Sequence, residues 1–192
     1  MSGFKKEHPN FTLSLKIADT KEIVQSVLQG NVELGMTGAK LNHSGLQYEK
    51  YKEDEMIIIG PSDHPLVKKR RVNFEDLSRE LWIIREEGSG TQRAVEIALK
   101  KKGWSLKQLN VVMEMGSTSS VKEGVKARLG FAFISKRAVE EELNLGLLSR
   151  IDTERIEPIV RQLYILYHRG RTLSPMGRQF LRFLKKTKEE MN

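Results

Sequence analysis

The segment Glu87–Arg93 combines the residue types of an anion-binding turn. It follows the apolar run Leu81–Ile84 and precedes a helical pattern of apolar residues. In a strand–turn–helix arrangement, the first backbone N–H groups of the helix are free to bind an anion. The hydroxyls of Ser89 and Thr91 stand beside them, and two glycines allow a ligand to approach the backbone closely. The alternative is that Ser89 or Thr91 only caps the helix.

A second hydroxyl-rich turn lies further along the chain. The run Ser117–Ser120 follows a predicted strand over 111–115 and precedes a predicted helix over 121–128. A polar loop with a single helix cap is the alternative to a ligand-binding role here as well. Because both turns follow strands, we expect them to share the sheet edge at which α/β proteins bind ligands.

The sequence contains no recognisable catalytic or metal-binding constellation. It has no cysteine, which excludes disulfides and thiolate chemistry, and its four histidines lack metal-ligand spacing. Glu86 and Glu87 could form an acid/base pair, but adjacent charges before a turn usually face solvent. We therefore predict no catalytic residue, no metal and no cofactor.

Composition indicates an ordinary globular chain. Its 192 residues are 39% hydrophobic and 30% charged, which suits one large domain or two small ones. The net charge of +8 is compatible with a nucleic-acid surface, but the basic residues are dispersed, so we interpret them as solvated faces. No apolar run approaches the roughly 18 residues of a membrane span, and no signal peptide is predicted, so we expect a cytoplasmic protein.

The first elements predict a strand–helix–strand unit. Alternating apolar residues predict a half-buried strand over Leu13–Ile17, and Asp19 with Thr20 begins a helix that ends at Gly30. A second strand is predicted over Val32–Gly38. Such a unit predicts a parallel strand pair with a right-handed crossover.

The remaining elements continue the alternation of strands and helices. A helix ends before His8–Asn10, Asn73 caps a short helix, and Ser174 with Pro175 begins the last helix. Further strands are predicted over 46–52, 55–60, 131–134 (ending at Ser135) and 163–167.

With these elements in this order, the chain resembles the effector-binding domain of LysR-type transcriptional regulators. The resemblance covers nearly the whole chain, and its specificity comes from the order and spacing of short fragments. These fragments are Phe4–Pro9 leading into Leu13–Ile17 and Asp19–Thr20, Gly30–Met36, Gly60–Leu66, Glu87–Thr91, Val125–Ser135, and Leu173–Pro175 with Phe180.

The resemblance implies an α/β fold of two Rossmann-like subdomains with the periplasmic-binding-protein type II architecture, joined by two crossover strands. Subdomain I would comprise residues 1–60 and 167–192, and subdomain II residues 61–166. The family's domain starts with a strand before the helix that ends at Pro9, so we expect subdomain I to lack its N-terminal strand or to pair abnormally. The residues that match the family's effector cleft are Asp19, Thr20, Thr37, Gly38, Ser89, Gly90, Thr91 and Ser135.

The function implied by the resemblance is ligand sensing. A small anionic metabolite would bind in the cleft and act through hinge and dimer rearrangement in a homodimer or tetramer. The family contacts DNA through an N-terminal winged helix-turn-helix, which this sequence does not supply, and no membrane partner is implied. The alternatives are a free-standing solute-binding protein of the same fold and, less favoured, an enzyme.

Overall fold

The computed structural model describes residues 2–154, 156 and 158–189. Its contacts divide the chain into two compact units: unit 1 consists of Met1–Lys52 and Leu163–Asn192, and unit 2 of Glu53–Gln162. The subdomain boundaries that the sequence suggested, after residues 60 and 166, stay a prediction.

Helices and strands alternate along much of the described chain. The helices are α1 (Ser2–Glu7), α2 (Thr20–Gln29), α3 (Phe74–Ser78), α4 (Gly90–Lys101), α5 (Thr118–Lys126), α6 (Glu140–Asn144) and α7 (Pro175–Glu189). The strands are β1 (Leu34–Thr37), β2 (Leu46–Pro61), β3 (Leu81–Arg85), β4 (Asn110–Met115), β5 (Ala132–Ser135), β6 (Leu148–Ile151) and β7 (Ile159–His168). No helix of the described residues is long and apolar enough to cross a membrane.

The apolar run Met56–Ile59 of β2 forms the centre of unit 2. It pairs antiparallel with β5, and Ile58–Pro61 pairs antiparallel with β6, so Ile58 and Ile59 have partners on both edges. Because successive side chains of a strand point to opposite faces, Ile58 packs in the core around Trp82 whereas Ile59 packs in a second core. Burial on both faces explains why this strand is continuously apolar.

A parallel pair of strands, β3 and β4, positions the two hydroxyl-rich turns of unit 2. In its register Arg85 lies opposite Met115, so both strands end at the same edge. The helices α4 and α5 begin within a few residues of these ends. The expectation that the two turns share one sheet edge is therefore confirmed.

Unit 1 is organised around α2 and β1. Residue Asp19 caps α2 by accepting a hydrogen bond from the Glu22 backbone N–H at 2.8 Å, and Gly30 ends the helix in the left-handed conformation. Both were predicted. The helix lies so close to the sheet that a Cβ atom on Gly35 would come within 2.7 Å of Ile23 and 2.8 Å of Leu166. Glycine at this position is therefore required for the packing of α2 on β1.

The predicted strand over Leu13–Ile17 is wrong. This segment is assigned to no strand, and the side chains of Leu15 and Ile17 are 68% and 82% exposed. The predicted parallel partner is consequently absent, and β1 instead pairs antiparallel with β7. Alternation of apolar residues produces a half-buried strand only where a sheet edge accepts its backbone.

The two strands predicted over 46–52 and 55–60 are one continuous strand, β2. The residues between the two predicted strands, Glu53 and Asp54, are part of it. Asp54 in this stretch is nevertheless only 2% exposed, which requires a partner for its charge inside unit 2.

Candidate functional site

The segment that joins β3 to the first turn of α4 contains two buried hydroxyls. Ser89 and Thr91 are 3% and 6% exposed. Ser89 occupies the N-cap position of α4, but its side chain makes no capping hydrogen bond. The alternative that this serine only caps the helix is therefore wrong, and its burial needs another explanation.

The hydroxyl of Thr91 is bound to an arginine from β7. The Nη1 group of Arg161 donates to Thr91 Oγ1 at 2.8 Å. The same guanidinium pairs with Asp54, with its Nε and Nη2 groups 2.9 and 2.7 Å from Oδ2 of that carboxylate. The other oxygen of the carboxylate, Oδ1, accepts a hydrogen bond from Ser135 Oγ at 2.6 Å.

A single network thus joins Thr91, Arg161, Asp54 and Ser135, and we call it the Arg161 network. Its ion pair is well shielded, because the side chains of Arg161 and Asp54 are 15% and 2% exposed. Removing two charges from water is costly unless they are paired and hydrogen-bonded. Here both oxygens of Asp54 accept hydrogen bonds, so the ion pair holds the guanidinium of Arg161 in a fixed position against the start of α4.

The direction of each hydrogen bond determines what the two hydroxyls can offer a ligand. Because Thr91 Oγ1 accepts from Arg161, its own hydrogen is available to be donated. Ser135 donates its hydrogen to Asp54, so its oxygen can still accept. One hydroxyl is consequently left as a donor and the other as an acceptor.

The first turn of α4 also contains a buried acceptor without a partner. Among the described residues, Gln92 Oε1 is buried and makes no hydrogen bond. An unsatisfied buried amide oxygen costs about 1–3 kcal/mol. A ligand that donates a hydrogen bond to Gln92 would remove this cost.

The second turn has different bonding. Ser117 Oγ accepts from the Ser120 backbone N–H at 3.0 Å, so the capping interpretation is confirmed for this turn. Thr118 Oγ1 accepts from Arg85 Nη1 at 2.9 Å. The Arg85 guanidinium also donates to both carboxylate oxygens of Glu86, at 2.7 and 2.6 Å. Since Glu86 is occupied in this way, it is not free to form an acid/base pair with a neighbouring glutamate.

Unit 1 contains the remaining predicted residues. Thr20 begins α2 and Thr37 ends β1, immediately before Gly38, and the two threonines are 6% and 5% exposed. The Thr37 hydroxyl donates to the Ala39 carbonyl at 2.8 Å, while the carboxylate of Asp19 is used as the α2 cap. Within the described part of the chain, no hydrogen bond links the two threonines.

Asp54 and Arg161 are the residues that sequence reasoning missed. Arg161 lies 107 positions from Asp54 and 70 positions from Thr91, so no local spacing connects them. The sequence offered only a weak signal. A carboxylate two residues before the apolar run of β2 needs a partner for its charge if it is buried. Among the described residues, no group of three or more His, Asp or Glu side chains is arranged to hold a metal ion.

Comparison with known proteins identifies relatives along almost the entire chain. A family model described as the LysR substrate binding domain matches residues 1–189. The RuBisCO operon transcriptional regulator of Allochromatium vinosum is 30% identical over 184 residues, which make up 96% of this chain and 60% of that protein. The chain thus spans about 60% of the length of this curated relative.

Solved structures show the same fold. The Synechocystis PCC6803 CcmR regulatory domain in complex with 2-PG matches with a TM-score of 0.85 at 25% identity, over 99% of this chain and 89% of that one. The effector-binding domain of QuiR in complex with shikimate matches with a TM-score of 0.83 at 15% identity, over 98% of this chain and 88% of that one. The architecture is therefore that of LysR regulatory domains, with their likeness to type II periplasmic binding proteins. The resemblance suggested by the sequence is confirmed, and the chain belongs to the LysR substrate-binding domain family, the effector-binding domain of LysR-type transcriptional regulators.

Proposed function

We propose that this domain senses a small anionic metabolite that binds at the first turn of α4. The observation that carries the proposal is the Arg161 network, which holds a guanidinium and a donor hydroxyl at a helix start. Free N–H groups and the helix dipole favour negative charge at the same place. The CcmR regulatory domain, at 25% identity, is known in complex with 2-PG, which supports small-molecule binding by this fold.

The hydrogen-bond directions narrow the class of effector. An anionic oxygen would accept from the Thr91 hydroxyl and from the N–H groups at the start of α4. A hydroxyl or amide on the same molecule would donate to Ser135 Oγ or to Gln92 Oε1. We therefore propose a hydroxylated carboxylate or phosphate rather than a simple apolar acid.

The experiment that tests this proposal is thermal unfolding with a panel of small anions, including sulfate, hydroxy acids, aromatic carboxylates and sugar phosphates. A ligand present at about 100 times its Kd adds about 2.7 kcal/mol, which corresponds to roughly 5–10 °C in a chain of this size. We expect Thr91→Val to abolish the ligand-induced shift, measured against the variant's own ligand-free Tm.

The matched control is Thr118→Val, which removes the same hydroxyl from the second turn. We expect this variant to keep the full ligand-induced shift, because Thr118 is bound to Arg85 and is not part of the Arg161 network. A shift that survives Thr91→Val, or one that both variants lose equally, would show that the effector does not bind at the first turn of α4.

Two finer points rest on the family resemblance and stay predictions. One is that Thr20, Thr37 and Gly38 of unit 1 contribute to the same effector site. The other is that the effector acts by shifting a hinge and dimer equilibrium through its differential affinity for two states. Because the chain spans about 60% of its relative, DNA binding and control of transcription are proposed for a longer protein that contains this domain.

A further inference from the structure

Unit 2 contains a pocket that is separate from the proposed effector site. Its lining does not include Ser89, Thr91, Ser135 or Arg161. Its volume is about 410 Å³, which lies within the range of about 300–1,000 Å³ typical of small-molecule sites. Since the Arg161 network does not line it, its chemistry is independent of the proposed effector site.

Three apolar side chains of the central strands lie at the base of this pocket. Ile58 of β2, Phe133 of β5 and Ile151 of β6 line it, and they are 4%, 7% and 3% exposed. They come from three strands that are paired with one another through β2. A ligand in the pocket would therefore meet a base held by paired strands, of which only small parts of these three side chains are exposed.

The wall of the pocket is fixed by backbone hydrogen bonds. The Val72 N–H donates to the Asp152 carbonyl at 2.8 Å, and the Glu154 N–H donates to the Val72 carbonyl at 3.1 Å. These bonds hold the segment with Arg70 and Arg71 against the end of β6. Both arginines line the pocket.

The charges of the described residues that line the pocket do not cancel. Arg150 is already neutralised, because its Nε donates to Asp152 at 2.8 Å and its Nη1 lies 3.2 Å from Glu55. Arg70 and Arg71 are exposed, and neither guanidinium is hydrogen-bonded or ion-paired to another of the described residues. Two guanidinium groups thus line the pocket without an anionic partner among the residues that the structure describes.

We propose that this pocket is a second small-molecule site, which takes a phosphate monoester or a carboxylate. Guanidinium groups match the paired oxygens of both anions. The anionic group would bind Arg70 and Arg71, and the rest of the ligand would occupy the pocket beside them.

The test uses phenyl phosphate as the probe and inorganic phosphate as the reference, with binding to the intact chain measured by isothermal titration calorimetry. We expect saturable binding of phenyl phosphate, tighter than that of inorganic phosphate because only the former also fills the pocket beside the arginines. The double variant Arg70→Ala/Arg71→Ala should weaken phenyl phosphate by at least about tenfold, since charge-assisted hydrogen bonds are lost. Both side chains are exposed, so circular dichroism should show an unchanged fold.

Two control variants show whether a loss of affinity is specific to this pocket. Arg79→Ala removes the same charge from an exposed arginine that does not line the pocket, and it should leave the affinity unchanged. Thr91→Val, which disables the proposed effector site, should also leave it unchanged. Absence of saturable binding, equal weakening in Arg79→Ala, or loss of binding in Thr91→Val would each overturn the proposal.

Discussion

The two hydroxyl-rich turns of unit 2 have similar sequences and positions, and in each a threonine accepts a hydrogen bond from a distant arginine, but their N-cap serines are bonded differently. In the turn before α5, Ser117 bonds to Ser120 three residues away, and both of these residues are accessible to solvent. In the turn before α4, Ser89 makes no capping bond, and Thr91 is bound to Arg161 from a distant strand. The N-cap of α5 is therefore satisfied locally, whereas in the turn before α4 the buried serine makes no cap and the buried threonine depends on an arginine that folding brings from elsewhere.

The largest expected effect on stability comes from removing the buried carboxylate of the Arg161 network. We expect Asp54→Ala to lower the free energy of unfolding by about 3–5 kcal/mol, because it leaves a shielded guanidinium without its counter-charge. Urea unfolding measures the loss. The double variant Asp54→Leu/Arg161→Met should recover most of it, since an apolar pair leaves no unpaired charge.

The control for this prediction is an ion pair at the surface of the same unit. Arg128 and Asp63 are 2.7 Å apart, but their side chains are 67% and 58% exposed. Water solvates both charges when the pair is broken, so we expect no measurable change from Asp63→Ala. If Asp54→Ala were as mild as this control, the Arg161 network would not be the organising feature of the first turn.

A smaller effect separates the two serines at the N-cap positions. We expect Ser117→Ala to destabilise the domain by about 1 kcal/mol, the usual cost of a lost helix cap. Ser89→Ala should cost less, because the Ser89 side chain makes no capping hydrogen bond. Parallel urea titrations compare the two variants, and an equal or larger loss in Ser89→Ala would mean that both turns are ordinary caps.

The smallest expected effect concerns the charge on α5. Lys122 pairs with Glu142 of α6 at 2.5 Å, which leaves the second turn without the unpaired cation that an anion site would use. The hydrogen bond from Lys122 lowers the pKa of Glu142, and the same bond raises the pKa of Lys122.

The sign of the pH dependence follows from these two directions. The lowered pKa of Glu142 means that its contribution to stability is present above the usual value of 4.5 and is lost as the pH falls through the folded-state pKa. The raised pKa of Lys122 means that stability is lost as the pH rises beyond 10.5. We expect Lys122→Met to return the pKa of Glu142 toward its usual value, as measured by NMR titration of the carboxyl. An unchanged titration would show that the pair does not form in solution.

Local rules predicted the ends of helices well. The caps at Asp19, Asn73 and Ser174 and the glycine that ends α2 were all recognised correctly. Each depends on residues within about four positions of one another, so the sequence contains the whole interaction. The predicted turns before α4 and α5 were located correctly for the same reason.

Sequence reasoning failed where distant residues decide the outcome. Alternation over Leu13–Ile17 predicted a strand, but the segment has no strand partner among the described residues. Two strands were predicted over 46–52 and 55–60, whereas β2 continues through Asp54, whose charge Arg161 neutralises. The Arg161 network could not be predicted, because its members are far apart in the chain and come from four separate elements.

The central position of Ile58 and Ile59 in β2 has a consequence for hydrogen exchange. Neighbouring residues of a strand direct their N–H groups to opposite edges, and here β5 occupies one edge and β6 the other. Freeing both amides for deuterium requires both neighbours to leave β2, which amounts to opening the centre of unit 2. The exchange rates of these two amides therefore report the global unfolding equilibrium of unit 2 under native conditions, with no denaturant added.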